Sequence, residues 1–226
     1  MDFLSPSFLL SLGSIILLDL VLAGDNAVVI AMAARQLPPH LQKRAIFIGT
    51  AGAIIVRALM TVIATWLLGV PLIQAIGGLI LIPIAIKLLL PQENSSTGVK
   101  KVASLGSAVR TIIIADVVMS LDNVLAVAGA AQGDPLLVII GLLISIPLII
   151  GGSKLIAHFM ERFPLLIPLG AAILGHTSGV MLLHDGIVGP YLTAYIPYAA
   201  YAVPALTIAI VLLVPYALVH WNKRQR

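Results

Sequence analysis

The sequence predicts an all-α, polytopic membrane protein of seven transmembrane helices, arranged as a 3+3 inverted-topology repeat plus one extra helix. Three observations lead there. Of the 226 residues, 60% are hydrophobic and only 10% charged, with a mean hydropathy of +1.12, far from the composition of soluble domains. Seven apolar stretches, about 7–34, 42–68, 70–90, 105–131, 135–157, 164–184 and 197–219, each reach the roughly 20 residues needed to cross about 30 Å of hydrocarbon. A polar signature, Asp-x5-Asp-Asn, occurs twice inside them, as Asp19, Asp25, Asn26 and as Asp116, Asp122, Asn123, each member displaced by 97 positions.

The first stretch is longer than a span requires and holds Gly24 between its acids. On an unbroken helix Asp19 and Asn26 share a face while Asp25 points away. Glycine weakens helix continuity, so local unwinding or strong tilt is expected there. The second stretch buries Arg57 at a depth from which it approaches the carboxylates, either as a fixed counter-ion or as a partner released when cation leaves. In the third, Gln74 beside Gly77 and Gly78 reads as close helix packing. Lys87, like Arg110 after it, sits near a helix end and reads as snorkelling to the interface, with reach into the pathway as the alternative.

Pro91 to Ser104 breaks the apolar pattern with Gln, Glu, Asn, Ser, Thr and Gly. Residues 91–104 are thus a cytoplasmic linker inside one transmembrane domain, 1–226, between repeat 1 (7–90) and repeat 2 (105–184), with the extra helix at 197–219. Ala34 and Pro38 match Ala131 and Pro135 at the same interval; Gly49 matches Gly141, and Pro71 with Gly77 matches Pro164 with Gly170 after a small gap. Three spans per copy is an odd number, so the second copy enters from the opposite side.

In the second copy Ser120 adds an oxygen one turn after Asp116. His176, Thr177 and Ser178 interrupt the sixth stretch, where a neutral imidazole can ligate Mn²⁺, although a hydrogen-bonded structural histidine is the commoner case. His184 and Asp185 are expected in a solvated loop. Pro83, Pro147, Pro168 and Pro204 are kink positions. Tyr191, Tyr195, Tyr198 and Tyr201 read as an interfacial belt.

Basic residues cluster around Arg35, Lys43 and Arg44, around Lys100 and Lys101, around Lys154 and Arg162, and in the tail, while the alternate connections have none. The positive-inside rule then puts the N-terminus outside and the C-terminus in the cytoplasm of an inner (plasma) membrane. The net charge of +4 is spent on topology rather than on nucleic acid. The N-terminus shows no pattern of a removable signal peptide. Absence of cysteine leaves oxygen ligands to do any metal chemistry.

An ionisable side chain at membrane depth costs about 2.5–3.5 kcal/mol on insertion scales, so four at matched places call for a function. Carboxylates, amides and a hydroxyl are a hard set suited to Mg²⁺, Ca²⁺ or Mn²⁺. Clustered acids in low dielectric also compete for protons, because burial and mutual repulsion disfavour the ionised form. Exchange of a divalent cation for protons is the expected activity.

The segments LDLVLAGDNAVVIA (Leu18 to Ala31) and ADVVMSLDNVLAVAG (Ala115 to Gly129) resemble the paired signatures of the TerC family, and the short chain is similar to its compact YjbE-like branch. The resemblance implies a seven-helix protein of the LysE superfamily type that exports manganese, with an association with tellurite resistance. It carries a metal role only onto Asp19, Asp25, Asn26, Asp116, Asp122 and Asn123; Ser120, Arg57, His176 and Lys87 are accessory candidates by their own chemistry and position. No permanent cofactor and no enzymatic activity are expected; the partners are the metal ion and the bilayer, with room for a homo-oligomer. The rivals are a Ca²⁺/H⁺ or other cation exporter, an amino-acid exporter of the LysE type, an intramembrane aspartyl protease and a non-transporting scaffold. Arg57 alone is a thin site for a carboxylate, and Ala23-Gly24-Asp25 lacks the glycine pattern that such proteases resemble.

Overall fold

Polar backbone groups have no water to bond in hydrocarbon, so an apolar chain satisfies them internally as helix. In the computed structural model, which describes residues 6–22, 24–63, 70–90, 104–121, 123–131 and 134–224, no strand occurs among the described residues. The helices are Pro6–Leu22 (α1), Gly24–Ala34 (α2), Pro39–Val62 (α3), Ile73–Leu89 (α4), Leu105–Met119 (α5), Asn123–Ala130 (α6), Pro135–Arg162 (α7), Leu166–His184 (α8), Val188–Tyr195 (α9) and Ala199–Arg224 (α10). Among the described residues four are long and apolar enough to cross a membrane, within α3, α7, α8 and α10, and α1 with α2, bent by 46°, makes a fifth if the pair crosses as one. The α4 helix is apolar but shorter.

The surface agrees. Leu10, Ile55, Leu59, Leu79, Leu143, Leu155 and Leu169 are exposed on several helices, a distribution that a protein in water does not sustain but acyl chains satisfy. Tyr191, Tyr195, Tyr198 and Tyr201 are exposed together around α9 and the start of α10, as a belt requires. This is a multi-pass membrane protein.

Expected breaks fall where glycine and polar residues allow them. The first stretch divides between Leu22 and Gly24, and the stretch at 105–131, expected as one helix, divides after Met119. There Ser120 closes α5, its N–H donating to Asp116 O at 2.8 Å. The last residues of α1 and α5 are again 97 positions apart. Most of the linker, 91–103, lies outside the described residues, but Ser104 caps α5 by accepting from Ser107 N–H at 3.1 Å. Pro83, Pro147, Pro204 and also Pro215 lie inside helices, whereas Pro168 stands in the first turn of α8, where its missing N–H costs nothing.

Packing pairs the two halves reciprocally. The α3 helix packs on α5 and α1 on α7, while α4 packs on α8, which also supports α10. Gly49 of α3 lies against Ile112 of α5, and Gly141 of α7 lies against Ile15 of α1. A Cβ at Gly49 would stand 2.8 Å from Ile112, and one at Gly141 would meet Ile15 more closely still. Small residues buy this backbone approach, as membrane interfaces use them. Gly77 and Gly78 do the same against α8, where Ser178 Oγ donates to Gly78 O at 2.7 Å.

The loop after α8 corrects one expectation. Asp185 is buried rather than solvated, because unpaired helix starts converge on it. It accepts from Ile187 and Val188 N–H, each at 3.0 Å, and from Ala75 N–H in the first turn of α4 at 3.1 Å. Leu72, the residue before α4, has a left-handed backbone and no capping side chain of its own. Burial works against the ionised carboxyl, but the N–H donors of Val188, Ala75 and Ile187 outweigh it and hold Asp185 below the usual carboxylate range.

Its stabilisation is therefore complete at neutral pH and is lost as pH falls through that lowered value. Asp185→Asn should lower thermal stability in detergent at pH 7 by about 1–2 kcal/mol per weakened cap. The difference from wild type should shrink only below about pH 4, where unfolded carboxylates protonate. Unfolding midpoints measured across a pH series check this.

Candidate cation site

The two helix breaks bring buried acidic groups onto one buried arginine. Asp19 lies near the end of α1 and Asp116 near the end of α5, 1% and 5% exposed, and between them α3 inserts Arg57, 3% exposed. One guanidinium serves both acids. Arg57 Nη1 pairs with Asp19 Oδ1, and Arg57 Nη2 pairs with Asp116 Oδ1 at 2.6 Å. Thr61 Oγ1 donates to Arg57 O at 2.9 Å, tying its hydroxyl back to the same helix.

The charges do not balance. With both acids ionised the triad holds one positive and two negative charges, and Asp25 lies within electrostatic range of Arg57 and Asp116. A buried ion pair needs hydrogen bonds to its remaining lone pairs, and here some are missing. Asp116 Oδ2 receives Ser120 Oγ at 3.4 Å, a long contact, while Asp19 Oδ2 has no partner among the described residues. Among the same residues Asn26, 2% exposed, has neither amide atom bonded, and Thr50 Oγ1 is also unpartnered. Such groups cost about 1–3 kcal/mol each when left bare.

Local structure explains the aim of each group. Asp116 lies in the last turn of α5, at the negative end of its dipole, which favours a cation. The break frees α2 from the phase of α1. Asp25 then falls in the first turn of α2, accepting the N–H of Asn26 at 2.9 Å and meeting the positive end of that dipole.

Of the residues singled out from sequence, Asp19, Asp116, Ser120 and Arg57 meet directly, and Asp25 stands within electrostatic range. Asn26 and Asn123 open the short helices beyond the breaks, and Asp122 lies outside the described residues. Among the described residues, no group of three or more Asp, Glu, His or Cys side chains is gathered as a metal cage. His176 is exposed on α8, whose buried side is Gly170, Ala171, Leu174, Gly175 and Ser178, so it faces away from the packed interior. Lys87 is exposed too. It lines an external cleft of about 530 Å³ with Arg110, Ser107 and Thr111 over apolar Pro83, Ile84 and Ile114, as a snorkelling residue does. Thr50 was not legible as a site residue, although it stands seven positions before Arg57 and so on the same helix face.

The sequence profile described as "Integral membrane protein TerC family" matches residues 4–226. The chain is 43% identical over 206 residues to the "Uncharacterized membrane protein YjbE" of Bacillus subtilis (strain 168), covering 91% of this chain and 94% of that protein. It is 28% identical over 177 residues to the "UPF0053 inner membrane protein YgdQ" of Escherichia coli (strain K12), 70% and 74% of the two chains. A "UPF0053 protein" of Buchnera aphidicola is 26% identical over 214 residues, and there the chain spans 40% of a longer protein. No solved structure matches.

Arg57→Leu should leave two buried carboxylates facing each other and destabilise the protein by about 3–5 kcal/mol. The double variant Arg57→Leu/Asp19→Asn should recover part of that loss, since it removes one unpaired charge. Unfolding midpoints of the three proteins in one detergent measure the coupling; equal losses in single and double variants would deny the shared ion pair.

Proposed function

This chain belongs to the TerC family of integral membrane proteins, and from that premise we propose that it is a secondary exporter of a hard divalent cation, with Mn²⁺ its main cargo. One observation carries the reading: two buried acids from matched positions share a single arginine, beside helix breaks and beside oxygen atoms that have no partner among the described residues. The oxygen donors suit a hard dication such as Mn²⁺ better than a soft metal. Asp19, Asp25, Asn26, Asp116, Asp122 and Asn123 are the proposed ligands, with Ser120 in support.

Arg57 acts in this reading as a tethered stand-in for the cargo. While no metal is bound its guanidinium sits between the acids; an arriving dication attracts the same oxygens more strongly and releases it. Protons take the place of metal on the opposite stroke, because burial and mutual repulsion disfavour bare carboxylates. The cycle makes no covalent bond, and the protein acts as a carrier rather than an enzyme.

Seven passes follow if α1–α2, α3, α4, α5–α6, α7, α8 and α10 each cross once, with the linker between inverted halves. Support comes from the reciprocal contacts of Gly49 with Ile112 and of Gly141 with Ile15, in which the two isoleucines are 97 positions apart and the glycines are matched second-helix positions. In this arrangement the basic connections face the cytoplasm of the inner membrane and the N-terminus lies outside. The half-helices meet at mid-membrane, as broken helices do around the substrates of secondary transporters.

In proteoliposomes, Mn²⁺ uptake should respond to an imposed pH gradient and be inhibited by competing Ca²⁺ or Mg²⁺ more than by Zn²⁺ at equal concentration. Asp19→Asn and Asp116→Asn should each lower flux at least about 100-fold, the scale of losing a ligand or its oriented support, while the proteins still insert. Flux at the wild-type level in both variants would overturn the assignment, and preference for Ca²⁺ would replace the cargo.

A further inference from the structure

The two halves are matched in their acids but not in what surrounds them. Aligning Gly49 with Gly141 sets Thr50 against Leu142, Arg57 against Ile149 and Thr61 against Ser153. The last pair behaves alike, since Thr61 Oγ1 donates to Arg57 O and Ser153 Oγ to Ile149 O. The other two pairs oppose a polar group to an apolar one, and in both the polar member belongs to α3.

Thr50 is anomalous among buried hydroxyls. Thr61, Ser145, Ser153 and Thr207 each donate to the carbonyl four residues earlier, the usual resting place for such a group in an apolar helix. Ser178 bonds Gly78 O and Ser120 bonds Asp116. Thr50, 2% exposed, bonds nothing among the described residues. Arg57 stands two turns further along the same face of α3. The unpartnered oxygens Asp19 Oδ2 and Asn26 Oδ1 come from α1 and α2, and α2 packs on both α1 and α3. In the second half Asp116 Oδ2 has a long contact from Ser120 Oγ, and Leu142 replaces the hydroxyl.

We infer that the first half holds the loading position for the cargo cation, with Asp19 Oδ2, Asn26 Oδ1 and Thr50 Oγ1 as its waiting oxygens and Thr50 as a selectivity-setting ligand. This rests on the transport reading above. A carboxylate, an amide and a hydroxyl replace some waters of a hydrated dication without the charge that would trap it. Mg²⁺ gives up water reluctantly and demands near-ideal octahedral geometry, so such a partial inner shell favours Mn²⁺ over Mg²⁺. The second half, with Ser120 beside Asp116 Oδ2 and its hydroxyl lost, receives the ion only after Arg57 has moved.

The test is Mn²⁺ and Mg²⁺ flux into proteoliposomes containing wild type, Thr50→Val, Thr50→Ser or Ser120→Ala, with Mn²⁺ binding to the same purified proteins followed by electron paramagnetic resonance. Valine keeps the shape of threonine, and monodispersity on size exclusion verifies folding. Thr50→Val should raise the KM for Mn²⁺ about five- to tenfold, the scale of one lost polar contact, and reduce the preference for Mn²⁺ over Mg²⁺. Thr50→Ser should restore most of both, and Ser120→Ala should move KM less than Thr50→Val. Unchanged KM and ion preference in Thr50→Val, no rescue by serine, or a larger KM effect from Ser120→Ala would each overturn the inference while leaving the transport reading standing. A wild type that binds and moves no divalent cation would overturn that reading and this one with it.

Discussion

A guanidinium shared between two carboxylates, sealed from water inside an apolar bundle, is the constraint around which this protein is organised. Each acid alone would be prohibitive at that depth, and Arg57 would be equally so without them. Bringing the three together requires α3 to pass beside the ends of both α1 and α5. The close approach of α3 to α5 at Gly49 supplies the second of these contacts, and the approach of α1 to α7 at Gly141 holds the first element in place. Packing and electrostatics are therefore one problem here. The glycines set the distance at which the charges meet.

Much of this was legible in the chain. The interval of 97 singled out Asp19 and Asp116, and Gly24 announced the first helix break, whereas the break after Met119 falls in a stretch that reads as one continuous helix. Arg57 was legible as a partner since no other basic residue lies so deep in an apolar stretch. The choice between shared and single pairing was not, because it depends on where α5 crosses α3.

What escaped the sequence did so for nameable reasons. Asp185 looked like a loop residue because its hydrogen-bonding partners are backbone N–H groups of a distant helix start, which no pattern of side chains announces. The short α9 helix was hidden by its glycine, proline and tyrosines. His176 drew interest as an imidazole within an apolar span, yet the side of a helix that a residue faces is decided by packing, and the small residues of α8 turned it outward. Thr50 gave the opposite error: one hydroxyl in a span is unremarkable until its customary acceptor is seen to go unused.

The sharing of Arg57 also bears on how the chain enters the bilayer. Asp19 and Arg57 are made 38 residues apart, so a nascent first half can bury them as a neutral couple before the remainder has been synthesised. Asp116 arrives later, when the one buried basic residue among the described residues is already engaged. Its helix must therefore be drawn against the earlier one by greasy contact, with Ile112 settling on Gly49, for the carboxylate to claim the second nitrogen. Biogenesis of the second half is thus templated by the first.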